Sequence, residues 1–336
     1  MVCSHEAVKV IFSKPEILRK REANGLNIKR LEFVLTEKCN SRCAHCQGDH
    51  SPEREGVMKV EDGLNYLVET ASVTRLDSFM IFGGEAMLYP QSTIRLFQKA
   101  KELGIPEIEL ITNGSWGKDP EEARTLAFQL KEAGVTDVLI SVDGFHLPYI
   151  PLDWPRNAKT ASVEAGIKRV SWNVAVLEGL DAPNEFDRQT RQIVKILEPS
   201  NLEVHFNKIW PQGRARHNLR NYFPEQPLGG ACPEKETTLV RPNCISLDPA
   251  GWASICWNMA IGNTKEVPLS KLLTSYSWEK HPITKTLVEE GPLGLTNLPE
   301  SEGFRYLEAE YIDKCHLCCE LRMFMRRAYP EMYIKE

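Results

Sequence analysis

The chain has 336 residues, 42% of them hydrophobic and 26% charged, with a net charge of -5. It is too long for a small stapled fold and suits one large α/β domain with a smaller appendage, or a single elaborated barrel. The charge argues against a nucleic-acid-coating protein, and no apolar run approaches the roughly 20 residues of a membrane helix. The opening residues Met1, Val2, Cys3, Ser4 and His5 lack the basic, apolar and small-residue blocks of a secretory signal, so the expected location is cytoplasmic, with no membrane partner. In that reducing setting ten clustered cysteines point to metal or redox chemistry rather than a disulfide framework.

In chain order, short apolar runs predict six strands: Leu31 to Leu35, Phe79 to Phe82, Ile108 to Ile111, Val138 to Val142, Val174 to Leu177 and Val204 to Ile209. Helical patterns separate them. Ser92 and Thr93 stand before Ile94 with Gly104 after the last turn, and Asp119 and Pro120 stand before Glu121 with Gly134 following. Strands alternating with helices make a parallel sheet, here an α/β fold of the partial (β/α)6, TIM-like barrel kind. The alternation stops where Pro224, Pro227, Gly229 and Gly230 crowd together. We therefore divide the chain into an N-terminal segment 1–27, a barrel 28–224, and a loop-rich extension 225–336 that holds six of the ten cysteines.

The first cysteine group, Cys39, Cys43 and Cys46, directly follows the first strand, on the face where βα loops carry chemistry. Three thiolates hold three irons of a 4Fe-4S cluster and leave the fourth open to a ligand. The same thiols with His50 would alternatively complete a zinc tetrahedron. The segment Thr36-Glu37-Lys38-Cys39-Asn40-Ser41-Arg42-Cys43-Ala44-His45-Cys46 resembles the C-x3-C-x2-C signature of radical S-adenosylmethionine (radical SAM) enzymes, including the Thr and Asn around the first cysteine.

Further segments at strand ends match that family. Gly83-Gly84-Glu85 is similar to the segment that receives the methionine amino group, Thr112-Asn113-Gly114 to the corresponding turn after the third strand, and Ser141-Val142-Asp143-Gly144 to residues facing ribose and methionine carboxylate. The cofactor-binding set that the resemblance implies is therefore Gly83, Gly84, Glu85, Asn113, Ser141 and Asp143, with His45 in a place often held by an aromatic residue near adenine. It covers about residues 28 to 215. It implies S-adenosylmethionine as cofactor, an electron donor such as flavodoxin or ferredoxin, and a 5'-deoxyadenosyl radical that takes hydrogen from a substrate.

Downstream, Cys244, Gly251 and Cys256 give C-x6-G-x4-C, and Cys315-His316-Leu317-Cys318-Cys319 gives C-x2-C with one more. This resembles the Twitch extension, the half-length relative of SPASM, and implies a second, auxiliary 4Fe-4S cluster on Cys244, Cys256, Cys315 and Cys318. Cys232 rivals Cys244, Cys319 rivals Cys318, and a zinc knot is the other reading of the same thiols. Left outside the ligand set, Cys232 becomes a candidate catalytic hydrogen-atom donor. Candidates for substrate contact are His146, Tyr149, Asn207, Lys208, Trp210, Arg214 and Arg216, the substrate being a small molecule or a peptide side chain. A zinc-binding scaffold without enzymatic activity is the contrasting class.

Overall fold

The computed structural model describes residues 27–197, 204–224, 226–307 and 311–332, so Cys3 and nearly all of the N-terminal segment lie outside the described residues. Its frame is a nine-stranded sheet in the order β6-β5-β4-β3-β2-β1-β7-β8-β9. The strands are β1 (Arg30–Thr36), β2 (Ser78–Gly83), β3 (Glu107–Thr112), β4 (Asp137–Ser141), β5 (Arg169–Val176) and β6 (Val204–Lys208), followed by β7 (Cys244–Leu247), β8 (Trp252–Cys256) and β9 (Met259–Asn263). β1 to β6 pair in parallel in sequence order. Such pairing needs a crossover between successive strands, supplied by helices α1 (Val60–Val73), α2 (Pro90–Glu102), α3 (Pro120–Glu132), α4 (Asp153–Glu164) and α5 (Glu185–Leu197). This is the open, partial barrel expected, with all six predicted strands present.

Alternation along each strand sorts the two faces. Leu31, Phe33 and Leu35 of β1 are fully buried in a core shared with Phe79, Ile81, Phe97 and Leu110. The opposite face carries the half-buried, charged Arg30, Glu32 and Glu109 and the buried Met80. Arg30 donates to Glu109 at 2.5 Å and 3.1 Å, to Glu32 at 2.6 Å and to Ser78 at 3.2 Å. The barrel face is thus lined by charge, and the hydrophobic core lies between sheet and helices.

The extension is better ordered than its composition announces. β7 joins the sheet parallel to β1, pairing Cys244 with Arg30, and β8 and β9 follow antiparallel. Helices α7 (Leu269–Ser275), α8 (Pro282–Glu289) and α9 (Lys314–Phe324) complete it, after the short α6 (Ala215–Asn218) that follows β6. Sheet pairing therefore runs straight across the division at residue 224. No helix among the described residues is long and apolar enough to cross a membrane.

Candidate functional site

The loop after β1 is held in place through its backbone. Glu37 N donates to Gly56 O, Cys39 N to Ser51 O and Cys46 N to Cys43 O, so the segment folds back on itself. Cys43 is buried, Cys39 and Cys46 half-buried, and none of the nine described cysteines forms a disulfide. Burial, and then the Glu85 carboxylate, push the Cys39 thiol up to about 12.

Two glycines let other loops dock on this segment. A Cβ on Gly84 would stand 2.0 Å from Lys38 O. One on Gly213, whose φ is +53°, would stand 2.1 Å from Gln47 O and 2.6 Å from Cys46 O. Arg214 N donates to Cys46 O at 3.0 Å, and the Arg214 side chain pairs with Asp49 at 3.2 Å and donates to His50 O. Tyr149 Oη donates to Arg42 O at 2.9 Å. Loops after β4 and β6 thus grip the cysteine loop after β1, although those strands are far apart in the sheet.

The strand-end residues gather around the same loop. Glu85 is buried with both carboxylate oxygens occupied: Oε1 accepts from Thr112 Oγ1 at 2.7 Å and Met87 N at 3.0 Å, and Oε2 from Asn113 N at 2.7 Å. Burial raises its carboxyl against the pull of those donors. Through these chain donors the carboxylate ties the ends of β2 and β3 together. Asn113 Nδ2 donates to Asn40 Oδ1 at 2.7 Å and lies 4.0 Å from Cys39 Sγ.

Asp143 is likewise turned to the protein. Its Oδ1 accepts from Phe145 N, His146 N and His146 Nδ1 at 2.8–3.0 Å, and its Oδ2 from Ala175 N at 3.1 Å. Burial alone would raise the carboxyl, but charge and hydrogen bonding from His146 outweigh it and hold it at about 2. Burial also opposes charge on His146, yet Asp143 and Cys43 raise its imidazole well above the ordinary range, with a hydrogen bond to the Cys43 thiol. Asp143 therefore orients His146. Ser141 accepts from Asn173 Nδ2 at 3.3 Å, and Asn207 in turn donates to Asn173 Oδ1, a polar row across β4, β5 and β6.

His45 stacks at 4.7 Å on Phe145 and 5.1 Å from His146, and burial lowers it to about 4. Its Nδ1 and the Ser41 hydroxyl are buried without a hydrogen-bond partner beside the cysteines. The apolar wall behind them is Phe145, Phe186, Leu177 and Ile209, contributed by the segments that follow β4, β5 and β6. Among the described residues, His45, Asp143 and His146 form the one group of three ligand-type side chains whose donor atoms all lie within 4.8 Å of one another.

Other sequence candidates have different employment. Arg216 binds Glu320 on α9 at 2.6 Å, joining the β6 side to the extension, so neither it nor Arg214 is free for a substrate anion. Trp210, Lys208 and Asn207 are exposed at the open edge.

The second cysteine group differs from the one the spacing suggests. Cys244 opens β7 beside Arg30, and its thiol is raised by burial and by Glu32, to which it hydrogen-bonds; Arg30 and Glu109 are its other charged neighbours, and no thiol is among them. Burial raises the Cys232 thiol, and the nearby Cys318 adds to it. Cys315, at about 12, is raised by burial, Asp313, Cys318, Cys256 and Cys232. Cys256 has an exposed side chain at the end of β8, but the protein mass around it and the neighbouring Cys318 and Cys232 bring its thiol to about 11. Cys232, Cys256, Cys315 and Cys318 thus feel one another. Cys319 is buried against Met323 at 4.0 Å.

Comparison with known proteins agrees with this architecture. The Radical SAM superfamily description matches residues 33–170. A GTP 3',8-cyclase of Moorella thermoacetica is 26% identical over 213 residues, 60% of this chain and 62% of the relative. That of Petrotoga mobilis is 26% identical over 209 residues, 59% and 61%. The matches thus span about three fifths of these relatives' length. The solved structure of native anSMEcpe with bound AdoMet shares the fold at a TM-score of 0.52 and 13% identity, over 90% of this chain and 97% of that one.

Proposed function

We propose that the chain, whose residues 33–170 match the Radical SAM superfamily description, is an enzyme that reductively cleaves S-adenosylmethionine to a 5'-deoxyadenosyl radical, using an electron from a 4Fe-4S cluster on Cys39, Cys43 and Cys46. The observation that carries the proposal is the donor set itself: three unpaired thiols on one loop, with the unpartnered Ser41 hydroxyl and His45 Nδ1 next to them.

The chain's own residues orient and exclude. Gly84 lets the backbone after β2 pass over Lys38 O, which docks the β2 end on the cysteine loop. Asp143 fixes His146 against Cys43, and Phe145 and Phe186, stacked at 4.6 Å, keep water from that side of the cysteine loop. A radical formed there is shielded from solvent quenching.

A second 4Fe-4S cluster on Cys232, Cys256, Cys315 and Cys318 is part of the reading. Cys256 lies at the end of the sheet where β1 begins, so β1, about 20 Å long at some 3.3 Å per residue, separates it from the first group. Between them runs the charged barrel face of Arg30, Glu32 and Glu109, which would receive a polar substrate, a small molecule or a peptide side chain. Electrons would come from an external protein such as flavodoxin or ferredoxin, in the cytoplasm, where the unpaired thiols stay reduced.

The test is anaerobic reconstitution with iron and sulfide, followed by dithionite and S-adenosylmethionine. 5'-Deoxyadenosine from the wild type but not from a Cys39→Ala, Cys43→Ala, Cys46→Ala variant is the expected result. A protein that takes up zinc alone and yields no deoxyadenosine would sink the proposal.

A further inference from the structure

Arg322 is buried on α9, one helical turn after Cys318, and its guanidinium is engaged on three sides. Nε lies 3.4 Å from Cys318 Sγ, Nη1 donates to Asn258 O at 2.6 Å and Nη2 to Trp257 O at 2.8 Å. Those two carbonyls form the turn directly after Cys256, where Asn258 takes the left-handed conformation at φ +47°. One planar cation therefore spans the helix that carries Cys315 and Cys318 and the turn that carries Cys256.

Its charge has an unusual answer. Among the described residues no carboxylate pairs with Arg322, and the groups that favour its charged form are Cys318, Cys319 and Cys256. A buried guanidinium facing neutral thiols loses its hydration, and two backbone carbonyls repay only part of it. The arrangement becomes favourable once the sulfurs carry negative charge, as they do when they bind iron. A lysine, a point charge on a flexible stem, would not reach both carbonyls and the sulfur in one plane.

We propose that Arg322 is a positioning residue of the second cysteine site, supplying the fixed positive charge that stabilises the reduced state of a cluster held there while it clamps the Cys256 turn to the Cys318 helix. The inference rests on the second-cluster reading given above. Reduction adds one electron, hence one negative charge, to the cluster. A cation 3.4 Å from a ligand sulfur lowers the free energy of that more negative state and so raises the midpoint potential.

The experiment uses the full chain carrying Cys39→Ala, Cys43→Ala and Cys46→Ala, so that the second site alone is seen, with Arg322, Arg322→Gln or Arg322→Lys. Iron and zinc are counted, and the cluster is titrated with dithionite while its electron paramagnetic resonance signal is followed. A midpoint shifted to lower potential in Arg322→Gln at full iron content, with Arg322→Lys in between, is the expected result. Iron lost from Arg322→Gln but kept in Arg322→Lys supports the proposal as well, since charge then decides retention. An unchanged midpoint in Arg322→Gln at full iron, or iron lost equally from both variants, overturns it. Zinc, or no metal, in the parent with Arg322 intact instead removes the second-cluster reading on which the proposal stands.

Discussion

Gly213 has no room for a side chain, because the loop after β6 presses its backbone against the carbonyls of Cys46 and Gln47. Alanine there would take a left-handed backbone costing about 1–2 kcal/mol before any clash, and the contact with Gln47 O would drive the loops apart. Gly213→Ala is expected to lower the urea midpoint of the apoprotein and to reduce iron bound at the first site more than at the second, read from iron counts with each cysteine set intact in turn. Glu85 makes a comparable case. Glutamine would put an amide donor against at least one existing donor among Thr112, Asn113 and Met87, and the expected cost is about 1–3 kcal/mol, measured by denaturant unfolding. The sequence identifies Cys39, Cys43 and Cys46 by spacing alone, since all three sit on one loop. It does not reveal that Glu85 meets Thr112 and Asn113 or that Asp143 meets Ala175, because those donors come from other strands, nor that Arg216 is held by Glu320, 104 residues away.

Elements with strong periodicity were legible. The six barrel strands follow from their apolar runs, and α3 starts where Asp119 and Pro120 announce it, with Asp119 Oδ1 accepting from Glu121 N and Glu122 N. β7 to β9 were not legible: each has only four or five residues, and they are broken by Pro249, Gly251 and Gly262, so pattern gives little purchase until β1 offers an edge. Cys244 fits the motif spacing, but inside a strand its direction is set by register with Arg30, which aims it at Glu32. Helix α9 depends on its cap, since Asp313 accepts from His316 N at 2.7 Å. Asp313→Ala is expected to cost about 1 kcal/mol and to loosen the first turn that carries Cys315, seen as faster loss of iron from the second site to a chelator. In the β7–β8 turn, Asp248 accepts from Trp252 N at 2.8 Å, and burial, reinforced by Glu37, raises its carboxyl to about 6. The folded state therefore keeps a proton that the unfolded chain has released above about pH 4, and stability falls as pH rises through that window to about pH 6. Asp248→Asn keeps an acceptor and removes the ionisation. It should gain on the order of 1 kcal/mol over wild type at neutral pH, after allowance for partial exposure, and nothing below about pH 4. An offset that stays the same across that range would contradict the assignment.

At the scale of the molecule, the barrel and its extension share one sheet. β1 is flanked by β2 on one side and β7 on the other, with four register pairs from Arg30–Cys244 to Phe33–Leu247. On the β6 side, Arg216 and Glu320 make a second connection. A cut at residue 224 would therefore expose the long edge of the central strand β1, whose flanking Leu31, Phe33 and Leu35 are fully buried. Ile245 and Leu247, also fully buried, would go with the removed part and leave part of the core open. An unpaired apolar edge is a template for association with other chains. The fragment 27–224 is thus expected to aggregate or to unfold at a lower temperature than the full chain, by light scattering and thermal melting, although it contains every element that positions the first cysteine loop except the one beside β1. If that fragment instead stayed monomeric with an unchanged melting temperature, β7 would be an ornament on a self-sufficient barrel. If it aggregates, the extension is a structural half of the barrel as well as the bearer of the second thiol group, and stability and redox chemistry are coupled through β1.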